Sequence, residues 1–164
     1  MNLNLDQTVA PESLISSAEK NAMSEAIDRA IKAASQSGKS GIAASILRDG
    51  LIVAIGENEV HLQCDPTKHA EMVAITRAAE AIDSTDLSGC VMVSTLQPCE
   101  MCLSAMRFAG IDRVIFAATQ ANVPSKYFVF PHLRIGDFKH NHNFEWVGGV
   151  DEHQILHLYA EGKE

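Results

Sequence analysis

The spacing of hydrophobic positions changes several times along this chain, and each change marks a predicted element. From about Ser16 to Ser35, Met23, Ile27, Ala30, Ile31 and Ala34 recur at helical spacing, and Gly38 stands where such a helix would stop. The run IAASILRDGLIVAIG, 42–56, comes next. Its Asp49-Gly50 pair lies between two apolar stretches and predicts a β-hairpin turn. ENEVHLQCDPTK, ending at Lys68, is polar and reads as a loop. HAEMVAITRAAEAI, 69–82, is rich in helix formers and predicts a second helix. VMVST, 91–95, reads as a short buried strand. Met101, Leu103, Ala105, Met106 and Phe108 predict a third helix from Cys99 to Ala109, opened by Pro98 and ended by Gly110. RVIFAA, 113–118, predicts another strand.

Beyond Thr119 the pattern weakens into a loop-like, aromatic-rich stretch. A strand is expected near Phe144 to Val147, and a last helix from about Asp151 to Glu161. The alternation of helix, two strands, helix, strand, helix and strand argues for an α/β layered domain.

Length and composition narrow this picture. A chain of 164 residues suits one domain, 1–164, with a sizeable core. Residues 1–15 read as a polar, frayed lead-in without the basic start and apolar centre of a secretory signal. No apolar run reaches the ~20 residues that span a bilayer, so no membrane is expected. For the four cysteines, Cys64, Cys90, Cys99 and Cys102, a reducing cytoplasm without disulfides is therefore expected, which favours metal or catalysis for the close pair. A net charge of −8 repels a phosphate-rich partner, and Lys and Arg are scattered singly. A small neutral substrate fits this balance better than a nucleic acid.

The close pair in PCEMC, 98–102, carries the candidate chemistry. A CxxC alone is a redox pair, half of a structural zinc site, or part of a catalytic one. A four-sulfur site needs a second CxxC, and Cys64 and Cys90 are isolated. Cys99 and Cys102 open a predicted helix, where the N-terminal dipole favours thiolates. His69 opens another and is the best candidate for a third ligand. Three protein ligands leave a fourth position on zinc for a water whose pKa falls toward neutrality. Glu71, two residues after His69, can reach the same cavity without binding the metal and move that water's proton. Alone, His69 reads as a surface histidine and Glu71 as a solvated helix residue. Together, H-x-E followed by P-C-x-x-C is a signature of zinc deaminases.

The runs DPTKHAEMVAI, 65–75, and LQPCEMCLSAM, 96–106, resemble the cytidine-deaminase-like superfamily. They look most like its nucleobase and nucleoside branch, with the guanine deaminases and tRNA adenosine deaminases. The resemblance covers roughly residues 20–118 and leaves 123–164 as a divergent C-terminal segment. It implies a three-layer α/β/α sandwich around a mixed, mainly five-stranded sheet, and a homodimer. It implies zinc held by His69, Cys99 and Cys102, with Glu71 as proton shuttle in a hydrolytic deamination that uses water and releases ammonia. It suggests that Asn58 hydrogen-bonds the substrate, where GEN alone would read as a turn, and that the N–H groups near Ala70 and Cys99 hold developing charge. Phe108 sits where guanine deaminases tend to place an aromatic wall; its other reading is core packing.

Among substrates, guanine is the first expectation, with cytosine, an adenine-type base or another aminated heterocycle behind it. Ile42 departs from the phenylalanine that guanine deaminases often carry, and the tail lacks their acidic segment. Its Tyr127, Phe128, Phe130 and Tyr159 either close over a ligand or pack a dimer interface. A non-catalytic deaminase-like scaffold is the reading of another class, and the intact Glu71 argues against it.

Overall fold

The computed structural model describes residues 11–139 and 143–163. Among the described residues, five strands join one sheet in the order β2-β1-β3-β4-β5. They are β1 (Ala43–Arg48), β2 (Leu51–Glu57), β3 (Val91–Leu96), β4 (Arg113–Ala118) and β5 (Glu145–Gly148). β1 runs antiparallel to β2 and β3, while β4 runs parallel to β3 and β5. The Asp49-Gly50 turn has positive φ at both residues, as a type I′ hairpin requires.

Helix α1 (Ser17–Ser37) opens with a complete capping box between Ser16 and Glu19 and stops at a left-handed Gly38. Glu19 also receives Arg113, whose guanidinium reaches the Leu14 carbonyl and Glu145 as well. Of the expected lead-in, residues 1–10 lie outside the described residues. Pro11–Leu14 form a 3-10 turn tied to this Arg113 hub.

Helices cover both faces of the sheet. A Cβ on Gly41 would lie 1.8 Å from the Ala30 carbonyl oxygen of α1. One on Gly56, in β2, would lie 2.2 Å from the Ala70 carbonyl oxygen of helix α3 (Ala70–Ile82) on the other face. Only glycine lets each helix pack this close to the sheet. A one-turn helix α2 (Val60–Gln63) interrupts the expected polar loop. Helix α4 (Glu100–Phe108) packs beside α3, with Cys102, Leu103 and Met106 inward. The core is the apolar filling between these layers, with Met23, Ile27, Ile46, Met92, Met106 and Ile115 fully buried.

The C-terminal helix is shorter than expected. A 3-10 turn, Glu152–Gln154, precedes a single turn α5 (Leu156–Tyr159). Its buried residues, Ile155 and Tyr159, are fixed by the sheet beneath them, and Ile155 at φ −121° breaks the helix. The described part of the connection from β4 to β5 holds three further 3-10 turns, among them Ser125–Tyr127.

Candidate metal centre and active site

His69 and Cys99 occupy the N-cap positions of α3 and α4. Cys102 lies one turn into α4 and is fully buried. Because α3 and α4 are neighbours on one face, the two helix starts bring three donor atoms together. Cys99 Sγ lies 3.5 Å from His69 Nδ1 and 3.7 Å from Cys102 Sγ, and Cys102 Sγ lies 3.7 Å from His69 Nδ1.

These distances test whether zinc fits. With Zn–S near ~2.3 Å and Zn–N near ~2.05 Å, a tetrahedral ion needs about 3.8 Å between sulfurs and about 3.6 Å from sulfur to nitrogen. The triangle matches on all three edges. Its donor set, one imidazole and two thiols, is also one that zinc prefers.

Electrostatics favours a cation at this point. The Cys99 thiol is held down to about 4, chiefly by its hydrogen bond with Cys102; burial opposes this and His69 adds to it. Cys102 is pushed well above its ordinary value by that same bond and by burial. The pair alone thus holds one negative charge, and a bound cation releases the second proton.

Glu71 is 4% exposed, on the first turn of α3. Burial raises its pKa, and the Cys99 charge raises it further. Its Oε1 accepts a 2.8 Å hydrogen bond from the buried Ser94 hydroxyl on β3. Its Oε2 lies 3.5 Å from Cys102 Sγ, on the ligand side. Ser94 had no part in the reading of the motifs. The signal for it was a hydroxyl inside a buried strand, which needs a partner.

A cavity of ≈ 340 Å³ opens over this cluster. Its walls include Ile42, Asn58, Ala70, Gln97, Tyr127 and Phe130. Asn58 fits both of its readings. Its Oδ1 accepts the Val60 N–H at 3.0 Å, as a turn asparagine does, which leaves the amide NH₂ as the group offered to a ligand. Ala70 is fully buried at the first position of α3, where backbone N–H groups have no intrahelical acceptor.

Phe108 is not part of this site, nor of the core. It is 94% exposed and borders a separate surface hollow with Ser104, Arg107 and Phe138. The inward turn of Cys102, Leu103 and Met106 puts the end of α4 the other way round. The tail aromatics divide. Phe130 lines the cavity from an exposed position, Tyr127 both lines the cavity and belongs to the core, and Phe128 and Tyr159 belong to the core. None of the described helices is long and apolar enough to cross a membrane.

The family model for the cytidine and deoxycytidylate deaminase zinc-binding region matches residues 16–118. The chain is 35% identical over 128 residues to a tRNA-specific adenosine deaminase of Aquifex aeolicus (strain VF5), covering 78% of this chain and 85% of that one. It is 36% identical over 96 residues to a guanine deaminase of Bacillus subtilis (strain 168), with 56% of this chain and 62% of that one covered. Its fold matches a solved tRNA:A34 deaminase with a TM-score of 0.72 at 27% identity, over 84% of this chain and 98% of that one. Relatives that act on tRNA remove the ground for setting nucleic acid aside on net charge alone.

Proposed function

The chain belongs to the cytidine and deoxycytidylate deaminase family of zinc enzymes, and from that premise we propose that it deaminates a free aminated base or nucleoside, guanine first. One observation carries the choice of a small substrate. The roof of the cavity is made by the chain itself, from the turn Ser125–Tyr127 onward to Phe130. The Phe130 N–H donates to the Glu100 carboxylate at 3.0 Å, which ties that roof to the start of α4 beside Cys99. A flat base fits beneath such a roof without a strand to thread.

His69, Cys99 and Cys102 would hold the zinc, which would supply a Lewis acid able to lower the pKa of water toward neutrality. Glu71 does the proton work. Ser94 fixes Oε1, so Oε2 faces the reacting centre, and burial raises the proton affinity of the carboxyl above that of a free glutamate. It takes the two protons of the attacking water in turn, the first as the water attacks and the second from the hydroxyl then on carbon, and passes one to the ring nitrogen and the other to the departing amine. The carbon gains an oxygen, its bond to nitrogen breaks, and ammonia leaves. Asn58 holds an acceptor on the ring edge through its free NH₂, and the first N–H groups of α3, at Ala70, favour negative charge that develops there.

The test is ammonia release from guanine, guanosine, cytosine, cytidine, adenine, adenosine, aminated pterins and a tRNA anticodon stem-loop. The free-base reading expects guanine or another small heterocycle to lead. Release from the stem-loop alone overturns it in favour of tRNA adenosine, the reading that the Aquifex relative favours. We place the enzyme in the cytoplasm as a homodimer, with the exposed Phe108 in the contact; a monomer by light scattering at assay concentration removes the dimer.

A further inference from the structure

The divergent C-terminal segment sends a buried aromatic side chain into the wall of the cavity over His69 and Cys99. Tyr127 lines the cavity with His69, Glu71 and Cys99, and it is 8% exposed. Its hydroxyl does not face the cavity. It donates to Ser40 Oγ at 3.1 Å, and Ser40 is not among the cavity walls. The cavity therefore meets the ring of Tyr127 and not its polar tip, and the Lys126 ammonium lies over that ring at 5.5 Å from its centroid.

The ring is held from behind by a chain of fixed groups. Ser40 Oγ donates to the Leu158 carbonyl at 2.8 Å, and Ser40 N–H donates to the Lys163 carbonyl at 2.7 Å. Tyr159 meets Tyr127 edge to face, with centroids 5.9 Å apart. The Tyr159 hydroxyl gives its only proton to the Gly41 carbonyl at 2.8 Å. Thr95 must then donate to Tyr159 while accepting the Ala43 N–H, and each polar atom in this run is matched. Thr95 stands in β3, the strand that leads into Cys99. The backing of Tyr127 is thus built on the same strand as the metal site.

We propose that Tyr127 is the aromatic wall against which the substrate ring packs, and that Ser40 is a positioning residue that sets its angle. The ligand is a flat heteroaromatic base, so the inference rests on the free-base reading above. It assigns to Tyr127 the role that Phe108 does not fill. It also makes the segment after residue 123 a determinant of substrate choice.

The test uses equilibrium binding in the Glu71→Gln protein, where substrate binds without turning over, with guanine, cytosine and adenine as probes. Tyr127→Leu keeps bulk but loses the ring face and should raise the Kd of the bound base about 5- to 100-fold, the span for a base stacked on an aromatic side chain. Tyr127→Phe and Ser40→Ala each remove the pin and should weaken binding by the same few-fold; together they should do no more than either alone. A folded Tyr127→Leu protein with Kd within twofold of its parent overturns the wall. Full additivity of Ser40→Ala on Tyr127→Phe overturns the pin, and this cycle decides the matter if Tyr127→Leu does not fold. Binding of none of the three bases overturns the free-base reading itself, and the wall with it.

Discussion

Gly56 gives a sharp test of how the sheet sets the metal centre. An alanine Cβ there would lie 2.2 Å from the Ala70 carbonyl oxygen and 2.6 Å from the Ala74 nitrogen, both backbone atoms of α3. Ordinary contact is about 3.5 Å, so the start of α3 must retreat by about 1 Å. Overpacking of this kind costs about 1–3 kcal/mol, and the upper end applies because backbone cannot swing aside. At an m-value of about 2 kcal/mol per molar urea, the midpoint should fall by about 1–1.5 M. The same retreat carries His69 and Glu71 away from Cys99 and Cys102, whereas metal sites tolerate only about 0.2 Å. Zinc affinity, read by competition with a chelator, should drop at least ~10–100-fold. Gly41→Ala is the control. Its Cβ meets α1, at 1.8 Å from the Ala30 carbonyl oxygen, on the face away from the metal. It should lose similar stability and keep its zinc affinity. If Gly56→Ala binds zinc as tightly as Gly41→Ala, the close approach of β2 and α3 does not set the site.

Other outcomes follow from particular side chains. Glu71→Gln should retain zinc and fold while turnover falls by at least ~10²–10⁴-fold, and near-normal ammonia release would remove the proton-shuttle role. Asn58→Ala should cut kcat/KM by an amount worth about 1–3 kcal/mol with zinc content unchanged; unaltered kinetics would leave Asn58 a turn residue only. Burial raises the Glu19 pKa, but hydrogen bonds from Arg113 and the Ser16 N–H outweigh it, and the carboxyl sits below its ordinary 4.5. A depressed carboxyl stabilises above its unfolded value. Wild type should therefore exceed Glu19→Gln by about 2 kcal/mol at neutral pH, with the margin closing as pH falls below about 4.5. Urea midpoints of the two proteins from about pH 7 down to about pH 2 check this, and a margin that does not narrow at all below about pH 4 contradicts it.

The chemistry was the more legible part of the sequence. Local spacing places His69 with Glu71 and Cys99 with Cys102 at two helix starts, whereas the meeting of the two motifs across thirty residues came from the resemblance. The hairpin and most strands were legible for the same local reason. Long-range choices were not. Helical spacing showed that α4 is amphipathic but not how far its inward face turns, so Phe108 was assigned to a wall or to the core and lies in solvent. The final helix was overextended because Ile155 and Tyr159 look helical in sequence, yet are placed by the sheet they cover. The roof residue Tyr127 depends on Ser40, eighty-seven positions earlier, and no local pattern announces that pairing.

Helix α1 begins with a serine that closes a full capping box, but α3 and α4 begin with His69 and Cys99, and neither makes a side-chain cap bond. A good cap contributes about 1 kcal/mol. The two helices on which catalysis depends have therefore given up local stability at the positions where the ligands stand. Activity and robustness oppose each other here. Cys99→Ser restores a capping hydroxyl and abolishes the ligand set, so in the absence of metal it should unfold at no lower temperature than the metal-free wild type. Selection for thermal tolerance alone, without selection for turnover, would erode this centre from its helix caps.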